Sequence, residues 1–305
     1  MAAHRLGTER MIYAMSPLNL PALQVASGDT VVVETADCFE NQVQSETQPF
    51  VAIDWEHVNP ATGPIYVQDA APGDLLAISI ERIETADHGV MTTGPEMGVF
   101  GDELAESTIR IVPIVDRTVK LLDHAYPCRP MIGVIGTAPR ESAVPNGTPG
   151  EHGGNMDCKL IGQGATLVLP VEVPGALLAL GDLHAVMGDG EVCSTGVEMA
   201  GEVTLRLRVL KGRDLPAPFL VDSEQAATIA SRPTLDEAAN AAAKSMAHWL
   251  QRQTPLSVAE IAILLSAKGD LRICQVVDPL KTARMEIHRS VLEDLGIRLE
   301  DLARV

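Results

Sequence analysis

Residues 201–210 read GEVTLRLRVL. Val203, Leu205, Leu207 and Val209 alternate with Glu202, Thr204, Arg206 and Arg208, so an extended chain buries one set and wets the other. The alternation returns in PGDLLAISIERIE, where Leu76, Ile78 and Ile80 interleave with Ala77, Ser79 and Glu81. GDTVVVETAD, STIRIVPIV, GATLVLPVEV, ALLAL and LRICQVV add further short runs bounded by Gly, Pro or Asp. No long crossover helices separate these runs, which argues against a doubly wound parallel sheet. The pattern predicts a mainly β protein with a β-sandwich or barrel-like body.

The period changes after residue 230. PTLDEAANAAAKSMAHWLQRQ opens with a capping box from Thr234 to Glu237 and places Leu235, Ala239, Ala242, Met246 and Trp249 along one side of a helix. TPLSVAEIAILLSAKGD repeats the signal with Ser257 and Glu260, and Leu256 with Ile261 fits a hydrophobic staple. Two helices therefore return to a strand in LRICQVVD, and a last strand is expected near 282–288. This divides the chain into a β-rich catalytic body over 1–214 and a smaller C-terminal α/β element over 215–305, with KGRDLPAPF as the passage between them.

A chain of 305 residues, 46% apolar and 21% charged, has enough core to fold without disulfides. Its cysteines, Cys38, Cys128, Cys158, Cys193 and Cys274, are odd in number and widely spread, the pattern of reduced thiols. A formal net charge of −18 with no compensating Lys/Arg cluster opposes nucleic acid and anionic membranes as partners and suits a small neutral or cationic ligand. The N-terminal segment carries no apolar signal, and no apolar run reaches the ~18 residues of a membrane span. A cytoplasmic protein is expected.

Two stretches concentrate polar chemistry. In GDLHAVMGDGE, Asp182 and His184 stand two positions apart, so an extended backbone points both to one side, where a carboxylate and an imidazole can share a divalent metal. Asp189 and Glu191 repeat the spacing around Gly190, and one carboxylate could bind metal while the other moves protons. Read alone, GDGE is also an ordinary acidic turn. In NGTPGEHGGNMDCKL, Gly153 and Gly154 permit a backbone nest whose amides face a ligand, flanked by His152 and Asp157. A flexible loop has the same composition. Glu34 and Asp37, at the end of VVVETADC, are a third candidate aimed into a cleft, with turn capping as the plainer role for Asp37.

Taken together, SPLNLPALQVASGDTVVVETADCFENQ at 16–42, PMIGVIGTAP at 130–139, PGEHGGNMD at 149–157, LPVEVPGALLALGDLHAVMGDGEV at 169–192 and QVVDP at 275–279 make the chain resemble the acetamidase/formamidase family of amide hydrolases. The resemblance implies hydrolysis of a small linear amide, formamide or acetamide, to carboxylate and ammonia, with a divalent metal such as zinc, in a homodimer or higher homo-oligomer. Carried onto this sequence, it matches Gly153, Gly154 and Asn155 to substrate binding. Asp37, Asp157 and His184 become metal-facing groups, His152 and Asp182 become groups that ligate or orient a ligand, and Glu191 becomes the general base with Glu34 and Asp189 in support. Where relatives carry a histidine and a tryptophan before the first proline-rich stretch, this chain reads MIYAMSPLNLP, a departure that bears on the preferred amide more than on the reaction. Two competing readings stay open at this point. One is a metalloenzyme acting on another small nitrogenous compound, and the other is a noncatalytic β-sandwich whose acidic loops bind calcium, magnesium also suiting such carboxylates.

Overall fold

The computed structural model describes residues 2–303. The alternation of 201–210 becomes a strand, Gly201–Leu210, third from one edge of a nine-stranded sheet. Val203, Leu205 and Leu207 are buried, as the pattern requires, while at the end of the strand Val209 is half-buried and Leu210 is buried. The strand lies between Thr30–Thr35 and Leu75–Thr85, antiparallel to both. The sheet then continues through Thr166–Pro170, Phe219–Val221, Gln225–Arg232 and Lys281–His288 to Gly269–Gln275 at one edge, with Ala3–Leu6 at the other.

An eleven-stranded sheet contains Met131–Gly136, Gly153–Asn155, Leu178–His184 and Glu198–Met199. Val31, Val33, Leu76, Ile78, Val203 and Leu205 of the first sheet share one core with Ile65, Ile132, Leu178, Leu180 and Leu183 of the second. The body is therefore two sheets packed face to face through their apolar sides.

The C-terminal region is the smaller α/β element expected. Helix α1, Leu235–Gln253, begins at the Thr234 and Glu237 capping box, and helix α2, Val258–Lys268, begins at that of Ser257 and Glu260. The buried stripe of α1 is Ala238, Ala242, Met246, Trp249 and Leu250, one position away from the expected Ala239. This stripe packs on Ala226, Ala230, Met285 and Ile287 of the nine-stranded sheet in a separate apolar cluster. The sheet itself runs on across residue 214, because Thr166–Pro170 pairs with Phe219–Val221.

Candidate functional site

The strand Leu178–His184 is buried along its whole length, so its apolar run carries Asp182 and His184 into the interior. Antiparallel pairing sets His184 opposite Glu198 on the strand Glu198–Met199. Cross-strand partners stand close enough for their side chains to meet. Nε2 of His184 lies 3.0 Å from Oε2 of Glu198, 3.5 Å from Oδ2 of Asp182, 3.8 Å from Oδ1 of Asp157 and 4.0 Å from Oε1 of Glu191.

Three backbone features build this convergence. On the other flank, Met131–Gly136 pairs Ile132 with Leu183 and Val134 with both Gly181 and Asn155. Gly133 therefore lies under the cluster, where an added Cβ would sit 2.4 Å from Oδ2 of Asp182 and 2.5 Å from Oδ1 of Asp157. Gly196 has the same role beneath the His184 ring, 2.5 Å from Nδ1. Asp157, Asp182 and Glu191 take left-handed φ values of 42°, 56° and 46°, a conformation that non-glycine residues adopt at a cost and that recurs at functional sites.

The C-terminal region completes the cluster. The amide of Gly190 donates to the carbonyl of Cys274 at 2.8 Å, and the amide of Val276 donates to Gly190 at 3.2 Å. Oε1 of the fully buried Gln275 accepts from the amides of Val277 and Asp278, which fixes the turn that brings Asp278 against Asp157.

Four carboxyl groups, those of Asp157, Asp182, Glu191 and Glu198, thus surround one buried imidazole, and a fifth, Asp278, stands against Asp157. Burial lifts Asp157 to about 7, with Asp182 adding to the effect. Burial likewise lifts Glu198 to about 8, Asp182 adding repulsion while His184 opposes it. Glu191 and Asp278 are pushed well above the usual carboxyl range, by burial first and by Asp157 second. At His184 burial favours the neutral ring, but Glu198 and Asp182 outweigh it and hold the imidazole protonated well above its usual range.

Both oxygens of Asp157, both nitrogens of His184, Oε2 of Glu198 and Oδ2 of Asp278 are buried without an aligned hydrogen bond, although Nε2 of His184 and Oε2 of Glu198 are within ion-pair distance. Buried polar atoms are ordinarily paired, and buried charge in excess is ordinarily neutralised by a partner or a metal. The ligand atoms of Asp157, His184 and Glu191 lie within 4.8 Å of one another, and so do those of Cys38, Asp182 and Glu198. The donor atoms of each group suit a divalent cation.

The structure brings Asp157, Asp182, His184 and Glu191 together and places the other sequence-derived candidates around them. Oδ1 of Asp37 accepts from the amides of Phe39 and Asn41, which makes it a turn cap, while the adjacent Cys38 joins the cluster. His152 is buried, its Nε2 unpartnered and its ring taken down to about 4 by burial, yet it lies outside both groups of converging ligand atoms. Asp189 grips Arg284 through two bonds of 2.7 and 2.8 Å and pairs with Lys159 at 2.9 Å. Glu34 is at the surface in an ion pair with Arg5.

Gly153, Gly154 and Asn155 form a buried strand, not an open loop. The amide of Gly153 donates to Gly150, so it is spent within the turn, whereas Oδ1 of the buried Asn155 has no partner. A side chain at Gly153 would sit 2.3 Å from the carbonyl of Ile135, and one at Gly154 would sit 2.5 Å from that of Thr148, so close backbone approach explains both glycines.

Sequence reasoning did not single out Cys38, Glu198 and Asp278, which the fold brings into this cluster. The available signal was weak: Glu198 is a carboxylate between Val197 and Met199 in a stretch that is otherwise apolar or small, and Asp278 follows two valines and precedes a proline.

The sequence matches the model of the Acetamidase/Formamidase family over residues 17–147 and 142–227. The crystal structure of an acetamidase from Bacillus halodurans is 49% identical, with a TM-score of 0.94 over 96% of this chain and 100% of that one. A predicted acetamidase/formamidase from Thermoanaerobacter tengcongensis is 48% identical, with a TM-score of 0.95 over 98% of this chain and 100% of that one. A putative formamidase from Schizosaccharomyces pombe is 27% identical over 253 residues, a match covering 62% of each chain. This chain thus spans about 62% of the length of that curated relative.

Proposed function

Since the chain belongs to the acetamidase/formamidase family, we propose that it hydrolyses a small linear amide, formamide or acetamide, to carboxylate and ammonia with the help of a divalent metal. The observation that carries this reading is the buried convergence of four carboxyl groups on His184, with Asp278 against Asp157 and with oxygens of Asp157, Glu198 and Asp278 making no aligned hydrogen bond.

Asp157 and His184 would hold the ion, with Asp182, Glu198 and Cys38 beside them. Such an ion supplies Lewis-acid polarisation and a nucleophile at neutral pH. We assign the proton transfers to Glu191, which is buried beside Asp157 and His184. Its carboxylate oxygen takes the proton of the attacking water and returns one to the departing nitrogen as the C–N bond breaks. The free Oδ1 of Asn155 accepts a hydrogen bond from the substrate amide, which orients its carbonyl. Glu198, opposite His184, holds the ring in place. Asp189 steadies the turn that carries Glu191. Cys38 and His184 count against the calcium-binding reading, because sulfur and nitrogen are poor calcium donors.

The test is ammonia release from formamide and acetamide by the full chain, before and after chelation and after zinc is restored. Release that is lost on chelation and recovered with zinc is expected. Stoichiometric calcium, no zinc and no release from either amide would overturn the assignment.

A further inference from the structure

Helix α2 and the strand that follows it present an apolar face that the rest of the chain leaves uncovered. From Val258 to Lys268 the charged residues are Glu260, engaged in the capping box, and Lys268 at the last position. Only Ile261 and Leu265 of this helix are buried, while Val258 and Ile263 are 53% and 70% exposed. A helix that is apolar on all sides is ordinarily enclosed, and an exposed apolar patch marks an interaction surface.

The strand Gly269–Gln275 is outermost in its sheet, so one of its edges lacks a neighbouring strand until Gly190 bridges to Gln275 at its end. Leu271 and Ile273 on it are exposed. Between helix and strand lies a cleft of about 600 Å³ lined by Ala247, Val258, Ala262, Leu265, Leu271 and Met285. An exposed apolar edge strand invites pairing unless it is guarded by charge, proline or a bulge, and the register irregularity of this strand falls between Ile273 and Gln275, past the Gly269–Ile273 segment.

Charge decides what can cover it. The chain carries −18, so contact between two copies is opposed over most of the surface. Residues 258–275 are an exception: Glu260 and Asp270 are offset by Lys268 and Arg272, two acids against two bases. The edge is also complementary to itself. In an antiparallel pairing about a two-fold axis at Leu271, Asp270 faces Arg272 of the second copy, Arg272 faces Asp270 of the second copy, and the two leucines face each other. The Asp270 and Arg272 side chains are 66% and 52% exposed; they lie 3.6 Å apart within one copy, with Glu286 3.9 Å from Arg272, so the pairing across the axis extends an existing surface ion pair.

We propose that this face is a two-fold interface between copies of this chain, formed by antiparallel pairing of the Gly269–Ile273 edge about Leu271 with the apolar side of α2 packed across it. The two nine-stranded sheets then continue into one another, and the contact encloses Ile263, Leu271 and Ile273. This inference does not depend on which amide, if any, is hydrolysed.

Sedimentation of the full chain tests it. The unaltered protein is expected to sediment as a dimer or a multiple of one. Leu271→Lys, which sets two ammonium groups against each other at the axis, is expected to halve the sedimenting mass. Asp270→Arg is expected to do the same, since the reversed charge faces Arg272 of the second copy. Adding Arg272→Asp to it restores the complementarity and should restore the mass. Thermal unfolding checks that each variant is folded. Leu271→Cys keeps the test decisive if a charged variant fails to fold, because mild oxidation with oxidised glutathione should link two copies through that one position, beyond any linkage in the unaltered chain. A monomer at all concentrations would overturn the proposal. So would an assembly that keeps its mass in the single variants and yields no link at position 271.

Discussion

Asp157, Asp182 and Glu191 each accept a left-handed backbone, at a cost of about 1–3 kcal/mol apiece. That conformation turns three carboxylates toward His184 from chain directions that would otherwise carry them past it. The i, i+2 spacing of Asp182 and His184 marked both residues in the sequence, but the backbone at Asp182 is left-handed, not extended, so their convergence rests on that turn of the chain as well as on the strand. Glu198 and Asp278 were not legible, since a lone carboxylate in a short strand or turn looks like surface until its neighbours are known. Glu191→Gln removes the proton acceptor but keeps size and burial. It is expected to lower kcat by about 10²–10⁴-fold while the metal content per chain, read by elemental analysis, stays unchanged. Near-normal turnover with full metal would reject the base assignment, and loss of metal would make Glu191 a ligand.

Among the elements, the capping boxes of α1 and α2 form as their sequences indicate, because the rule that produces them is local. The glycine-rich stretch at 153–155 is harder to read. Gly and Asn are turn residues by propensity, yet packing against Met131–Gly136 makes them a buried strand. The turn Gly188–Glu191 depends on a partner distant in sequence. Asp189 holds Arg284, which is 2% exposed and also bonds Glu286 at 2.6 Å. Burial raises the proton affinity of Asp189, but Arg284 and Lys159 outweigh it and keep the carboxylate below its usual pKa. Asp189→Asn takes a counter-charge from a buried guanidinium, and a stability loss of about 1–3 kcal/mol is expected in thermal or denaturant unfolding. Because Glu191 lies two residues on, the pH–rate profile should shift as well. A loss of stability with an unmoved profile would leave Asp189 without a part in positioning Glu191.

At the scale of the molecule, the buried carboxyls tie stability to pH. Asp157 and Glu198, lifted to about 7 and about 8, keep protons that the unfolded chain releases near its ordinary carboxyl range of about 4. The stability they contribute without a cation is present at low pH and is lost as pH rises through those values. A divalent ion reverses the preference by favouring the ionised groups, and it stabilises by binding only the folded state. The melting temperature of the zinc-loaded chain should therefore exceed that of the chelated chain by a margin that widens from about pH 5 to about pH 8. A constant margin would separate the metal from this cluster. The sequence by itself determined the elements governed by near neighbours: the alternating strands, the two capped helices, and the pairing of Asp182 with His184 on one strand. Which sheet each strand joined was decided by tertiary packing, as was the arrival of Asp278 from the C-terminal region beside Asp157. So was the approach of Cys38 to Asp182 and Glu198, with Asp37 held in the adjoining turn. The physical reason is that backbone period and capping act over a few residues, whereas the site is assembled by contacts among segments far apart in sequence, whose free energy exists only once the two sheets have packed.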